Sequence, residues 1–166
     1  GGTLYNCTIS GNSADLAGGG TYYGTLYNCI SFYNTAANGQ NYFDSTFSNS
    51  CTTPIPFGEG NITNEPQLAS ASYLSQGSPC IGKGNIAYSS GTDIDGEFWM
   101  NQPAMGCDEF VAGSIIGELV VSAHTDYTNV ATGFPVQFRA DISGRPVASA
   151  WHWGDGEVSS NQPYVS

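Results

Sequence analysis

The stretch GTLYNC at residues 2–7 decides the fold, because the same six residues return at 24–29. The interval is 22 residues, and it also relates NSA at 12–14 to NTA at 34–36. Cys51 again follows Cys29 by 22 residues. A period this short is typical of a stack of similar coils, in which each unit contacts only its neighbours.

The letters of the repeat indicate the kind of stack. Short β-favouring runs alternate with turn sequences such as GGG at 18–20 and NGQN at 38–41. Helical-pair repeats need about 33 residues or more. Leucine-rich repeats need several leucines at repeated positions, whereas only one leucine position recurs here, as Leu4 and Leu26. The sequence therefore predicts an all-β fold built as a parallel β-helix, with coils stacked about 4.8 Å apart.

In such a stack, equivalent side chains of successive coils lie above one another. Three columns are expected: Leu4 over Leu26 pointing inward, Asn6 over Asn28 as an amide ladder, and Cys7, Cys29 and Cys51 as small buried groups. Cys7 and Cys29 are expected to stay thiols, because parallel side chains suit the torsion angles of a disulfide poorly.

The composition and charge of the chain limit the classes of partner that it is expected to bind. The 166 residues include three basic and 14 acidic ones, which gives a net charge of −11. This charge disfavours binding to nucleic acid and to anionic membranes. The sequence contains no run of about 18 apolar residues, so no membrane-spanning segment is predicted. The chain starts in mid-repeat, without Met or a signal peptide, so we expect a piece of a longer secreted or surface protein.

An ordered set of motifs gives a first resemblance. They are NCTISGNSA at 6–14, SCTTP at 50–54, GNITNEPQL at 60–68, YLSQGSPCIGKG at 73–84, TDIDG at 92–96 and MGCDEF at 105–110. Residues 1–111 thereby resemble the C-terminal coils and closing segment of secreted right-handed parallel β-helix proteins. The resemblance implies a right-handed β-helix and a secreted or cell-surface location in a bacterium. It also implies a disulfide between Cys51 and Cys80. The family favours Arg soon after the D-x-D-G turn. Here EFW stands at 97–99, so the Arg–Asp pair that ties the closing segment is expected to be absent.

A second resemblance covers residues 117–166. WHWGDGE at 151–157 resembles the W-x-F-G-D-G signature of PKD-type immunoglobulin-like domains, with Trp153 in the usual Phe place. The signature residues are Trp151, Trp153, Gly154, Asp155 and Gly156. The resemblance implies an incomplete β-sandwich, because about three further strands would follow. Residues 1–112 are thus assigned to β-helix coils and closing segment, 113–117 to a linker and 118–166 to a partial sandwich.

Few residues suggest chemistry. Asp93 and Asp95 of D-I-D-G look like the start of a calcium loop, although no Glu stands where the twelfth ligand should be. A structural Asp-Gly turn is favoured there and at 154–156. Ca²⁺ is the one candidate cofactor, and no catalytic or cofactor-binding residue is assigned. Five cysteines without CxxC disfavour zinc and c-type haem.

These observations favour a structural or adhesive extracellular protein, a rigid β-helical stalk or filament component. Its expected partners are other chains or domains of the same surface assembly, with carbohydrate as a second candidate. One alternative is the non-catalytic C-terminal part of a polysaccharide-degrading β-helix enzyme. Another is a self-assembling filament subunit whose half sandwich is completed by a neighbour. Whether the protein is an enzyme stays open, although Lys83 is the one basic side chain in residues 1–112.

Overall fold

A computed structural model describes residues 1–114 and 117–165, and this part of the chain is nearly all β. The strands are β1 Thr3–Tyr5, β2 Thr8–Ser10, β3 Ser13–Ala17, β4 Thr21–Tyr22, β5 Thr25–Tyr27, β6 Ile30–Phe32, β7 Thr35–Asn38, β8 Tyr42–Phe43, β9 Thr46–Ser48, β10 Cys51–Thr52, β11 Val120–Thr125, β12 Phe138–Ser143, β13 Ala150–His152, β14 Val158–Ser160 and β15 Tyr164–Val165. A 3₁₀ helix spans Ile86–Tyr88. No helix among the described residues is long and apolar enough to cross a membrane.

The first ten strands form a stack of coils. β1, β5 and β9 pair in parallel as one sheet, and β2, β6 and β10 form a second. β3 with β7 and β4 with β8 form two further parallel pairs. The all-β prediction with repeated parallel strands is confirmed, and the stacked sheets are compatible with a β-helix-like fold. We call residues 1–53 the stack.

The register of the stack corrects the expected cysteine column. Thr3 pairs with Thr25, 22 residues away, but Thr25 pairs with Thr46, only 21 away. Cys51 therefore pairs with Ile30 rather than lying over Cys29. The cause is a bulge in β3, where the register changes between Ala14 and Ala17 and the first coil holds one extra residue.

The apolar interior follows the repeat. Leu4, Leu26 and Phe47 occupy equivalent positions, and the last two are buried while Leu4 at the end of the stack is 36% exposed. Cys29 completes this cluster. A second cluster joins Ile30 to residues of the segment that follows the stack, because that segment folds back over its side.

The turns between strands use asparagine. Asn6, Asn28 and Asn49 all have positive φ, at 48°, 52° and 49°. Asparagine tolerates the left-handed region better than other residues with a side chain, because its short amide can hydrogen-bond locally. The same bend at each turn keeps the strands of successive coils aligned.

Residues 54–112, which we call the closing segment, contain the 3₁₀ helix and isolated bridges rather than long strands. Its Leu68, Leu74, Cys80 and Met105 are all buried against the side of the stack. Gly106 comes so close to Ile30 that a Cβ there would lie 2.9 Å from its Cδ1 atom. Glycine at this position therefore permits the contact.

The C-terminal strands form two antiparallel sheets, β11-β12-β15 and the hairpin β13-β14, which we call the C-terminal sheets. One face of the larger sheet is apolar and carries Val121, Ala140 and Ile142, whereas Arg139 and Asp141 lie on the other. The predicted linker, 113–117, includes residues 115 and 116, which lie outside the described residues.

The leucine column yields a matched stability test. Leu26→Ala removes a fully buried side chain and should lower the free energy of unfolding by about 2–5 kcal/mol. Leu4→Ala makes the same change at the equivalent but part-exposed position, so its effect should be clearly smaller. Urea denaturation measures both, and equal losses would contradict the described packing of the column.

Candidate functional site

The site is built on the D-I-D-G turn of the closing segment. The Asp93 Oδ1 atom accepts hydrogen bonds from the backbone N–H groups of Asp95 and Glu97, at 2.9 and 2.8 Å. Its Oδ2 atom accepts from the N–H of Glu109 at 2.9 Å. The turn is thus closed by its own first carboxylate, as Asp favours in turns, and it is fixed to Glu109 near the end of the segment.

A second carboxylate, that of Asp108, links two parts of the closing segment. Asp108 is fully buried, and its Oδ2 atom accepts from the N–H of Leu74 at 2.8 Å. The Asp95 Oδ1 atom accepts from the Tyr73 hydroxyl at 2.8 Å. Oxygen atoms of Asp93, Asp95 and Asp108 all lie within 4.8 Å of one another. Three carboxylates this close need a positive partner.

Arg145 is that partner, and it comes from the C-terminal sheets. Its side chain is 3% exposed, and it donates to Glu97 Oε2 at 2.6 Å and to Asp108 Oδ1 at 3.0 Å. It also donates to the backbone carbonyl of Glu109. The family's Arg position after the D-x-D-G turn holds no Arg here; the closing segment is tied instead by Arg145, whose guanidinium comes from the turn after β12 and pairs with Asp108. We call these groups the Arg145 cluster: Asp93, Asp95, Glu97, Asp108, Glu109 and Arg145.

Burial sets the protonation of this cluster. Burial raises the pKa of Asp108 to about 6, and the Leu74 N–H and Arg145 offset only part of that rise. Burial also raises the pKa values of Asp95 and Glu109. For Arg145, burial works against the charge, but its bond to Glu97 and the charges of Asp108 and Glu97 outweigh burial and raise its pKa. The guanidinium therefore stays charged, while Asp95, Asp108 and Glu109 hold protons more readily than usual.

The predicted calcium ligands have to be weighed against these bonds. Both oxygens of Asp93 and of Asp108 and one oxygen of Asp95 already accept hydrogen bonds within the protein. The Asp95 Oδ2 atom is buried without a partner among the described residues. Ca²⁺ takes six to eight oxygen ligands, and Arg145 already provides positive charge here. These residues do not suit calcium, and Ca²⁺ binding gains no support from this geometry.

The asparagine positions of the repeat make structural contacts. Asn28 donates from Nδ2 to Asn6 Oδ1 at 3.1 Å, and its Oδ1 atom accepts from the N–H of Asn85 at 2.8 Å. The amide pair thus also holds the 3₁₀ turn of the closing segment. A second pair, which sequence reasoning did not single out, joins Asn12 Nδ2 to Asn34 Oδ1 at 3.0 Å. Their 22-residue spacing was the available signal.

All five cysteines are free thiols. Cys51 and Cys80, which the resemblance pairs as a disulfide, are both fully buried in the same apolar cluster. The neighbouring Cys80 thiol and burial raise the pKa of Cys51. Interaction with the Cys29 thiol lowers the pKa of Cys7 to about 7, against the opposing effect of burial. The Cys51–Cys80 cross-link stays a prediction.

The tryptophan motif lies in the smaller C-terminal hairpin. The rings of Trp151 and Trp153 stack with centroids 5.9 Å apart and an interplanar angle of 10°. Gly154 and Gly156 have positive φ, at 87° and 100°, and Asp155 Oδ1 accepts from the N–H of Glu157 at 2.9 Å. The motif is therefore a turn that joins β13 to β14.

Arg145 is the residue of the cluster that sequence reasoning missed. It is one of only three basic residues in the chain, and it lies 48 residues after Glu97, the nearer of its two carboxylate partners. Its neighbours Gly144 and Pro146 indicate a turn and say nothing about a distant carboxylate. The signal that could have drawn attention to it is the shortage of other cations in so acidic a chain.

Replacement of Arg145 should destabilise the closing segment strongly. Arg145→Gln leaves buried carboxylates without their countercharge, which costs about 3–5 kcal/mol when a buried pair is broken. Arg139→Gln is the matched control, because Arg139 pairs with Asp141 on the surface with its side chain 55% exposed. The Arg139→Gln substitution should lower the free energy of unfolding by no more than about 1 kcal/mol. Urea unfolding of both variants measures the difference, and similar midpoints would contradict the buried role of Arg145.

The raised pKa of Asp108 predicts how stability depends on pH. Its ordinary value is 3.8 and its value in the folded protein is about 6, so the native state binds this proton more tightly than the unfolded chain between these values. Stability should therefore rise as the pH falls from about 7 to about 5. Asp108→Asn should flatten part of this slope in urea midpoints, whereas Asp155→Asn at the exposed hairpin turn should preserve it. A wild-type free energy of unfolding that decreases as the pH is lowered from about 7 to about 5 would refute the assignment.

Similarity to known proteins does not guide the interpretation of this cluster. No family model, no curated protein and no solved structure matches the chain. The contacts of the cluster join the closing segment to the C-terminal sheets.

Proposed function

We propose that the protein is a rigid structural or adhesive component of a bacterial cell surface or secreted assembly. One observation carries this proposal: a ladder of parallel strands runs through the coils, and Arg145 ties its closing segment to the C-terminal sheets. Backbone hydrogen bonds repeated from coil to coil resist bending, because each coil is held by its neighbour. Apart from the Asp95 Oδ2 atom, the carboxylate oxygens of Asp93, Asp95 and Asp108 accept hydrogen bonds within the protein, which suits an architectural role.

The finer description of the fold belongs to the same proposal. We take the stack and closing segment as terminal coils of a right-handed parallel β-helix. We take the C-terminal sheets as part of a PKD-type sandwich. Support comes from the sequence motifs, from the parallel register at residues 3–52, and from the stacked Trp151 and Trp153 beside a Gly-Asp-Gly turn. The acidic net charge of −11 supports solubility of the assembly.

A second candidate function is supported by the exposed face of the C-terminal sheets. Leu119 and Val121 line an apolar cavity of about 230 Å³ between the two sheets, yet they are 58% and 61% exposed. β11 is an edge strand, and within Val120–Thr125 it carries no Lys, Glu or Asp. Such an edge favours pairing with another strand. A neighbouring copy that adds strands here would make the protein a filament subunit.

Surface labelling and solution scattering test the two candidates together. We expect antibodies against the chain to label intact, unpermeabilised cells of the source organism. In solution, small-angle scattering should show a particle that stays rigid and monomeric on dilution. Arg145→Gln should increase motion between the closing segment and the C-terminal sheets, and Arg139→Gln should not. Labelling that appears only after permeabilisation would overturn the surface role.

The same scattering series decides between a stalk and a filament subunit. Assemblies that survive dilution would favour the filament subunit over the stalk. In that case Val121→Lys, on the exposed apolar face, should dissociate them. Ser122→Lys on the opposite face of the same strand is the matched control.

A further inference from the structure

A cleft of about 340 Å³ lies between the first coil and the closing segment. Tyr5 and Asn6 of the stack form one side, and Thr92 and Trp99 are among the closing-segment residues on the other. Its volume falls in the range of small-molecule sites, which combine apolar walls with a few polar groups.

Aromatic rings form its walls. Tyr5 is 50% exposed, and its ring stacks on Tyr27 with centroids 5.1 Å apart and an interplanar angle of 14°. Tyr88 of the 3₁₀ helix packs on Tyr27 at 4.4 Å. This support holds the Tyr5 ring in place, so a ligand would meet a preformed surface. The half-buried Trp99 ring provides a second aromatic surface.

The polar groups of the cleft differ in how fully they are used. Asn6 and Asp93 are occupied: the Asn6 amide bonds to Tyr88 and Asn28, and both Asp93 oxygens accept backbone N–H groups. The Trp99 Nε1 atom, in contrast, is buried without a hydrogen-bond partner among the described residues. An unmade buried hydrogen bond is costly. Because Trp99 lines the cleft, a ligand oxygen that reaches this N–H and accepts its hydrogen bond would remove that cost.

The charge of the cleft selects the ligand. None of the described residues that line it is Lys, Arg or His, and Asp93 contributes negative charge. Anionic ligands are therefore disfavoured. The exposed lining residues Ser90 and Thr92 offer hydroxyls, which both donate and accept. Aromatic faces beside uncharged hydroxyl and N–H groups suit a ring that has apolar C–H faces and hydroxyl edges.

We infer that this cleft binds a neutral sugar residue, through stacking on Tyr5 and Trp99 and a hydrogen bond from the Trp99 indole N–H. The inference rests on the adhesive form of the proposed function and gives that adhesion a ligand. The structural form of the proposed function, a rigid stalk, does not require that the cleft bind a sugar.

Saturation-transfer NMR of the full chain with a panel of sugars tests the inference. The panel contains methyl glycosides of glucose, galactose, mannose and N-acetylglucosamine, together with glucuronic and galacturonic acids. We expect at least one neutral glycoside to bind at millimolar concentration and the uronic acids to bind more weakly. Trp99→Phe keeps an aromatic ring but removes the N–H, so affinity should fall about tenfold. Trp153→Phe, in the C-terminal hairpin, should bind like the wild type.

A fluorescence titration locates the ligand. The chain has three tryptophans, so Trp99 is the sole indole reporter in a Trp151→Phe/Trp153→Phe variant, and its emission should change on sugar addition. Tyr5→Ala should abolish the response. Absence of binding across the panel, stronger binding of the uronic acids, or affinity unchanged in Trp99→Phe would each overturn the inference. Surface labelling and scattering are independent of the panel, so failure here is distinguishable from failure of the proposed function.

Discussion

A guanidinium buried among carboxylates is the interaction on which the arrangement of the chain depends. Arg145 meets Glu97, Asp108 and the Glu109 carbonyl from a side chain that is 3% exposed. Charges removed from water to this extent are tolerated only when they are paired and hydrogen-bonded. The closing segment brings its acidic groups together around its own turns, and the C-terminal sheets supply the cation. Neither part satisfies its buried charge without the other.

The stack depends on a different constraint, which is repetition. Parallel coils place equivalent residues above one another, so a side chain that suits one coil suits the next, as with Leu4, Leu26 and Phe47. The asparagine turns repeat for the same reason, since one left-handed residue per turn keeps the strands aligned. The closing segment then uses the ladder as an anchor, because the amide of Asn28 bonds both to Asn6 and to Asn85.

These two constraints leave different surfaces open. The apolar face of the C-terminal sheets still exposes Leu119 and Val121, and exposed apolar faces of this kind mark contact sites. The cleft beside Tyr5 and Trp99 is smaller and mixed in character. The first surface suits a protein strand and the second a small uncharged ligand. Both are compatible with the proposed structural or adhesive role.

The sequence by itself determined the class of fold and most of the register. Six identical residues at a fixed interval are enough, because strand pairing in a stack is local and repeats with the period. It could not show that Cys51 lies beside Ile30, since one inserted residue in the β3 bulge shifts every later pairing. It predicted the turn at Asp93 but missed Arg145, because a contact across 48 residues leaves no local pattern. Only the tertiary structure decided which charge closes the cluster, since distant groups meet once the elements that carry them have packed.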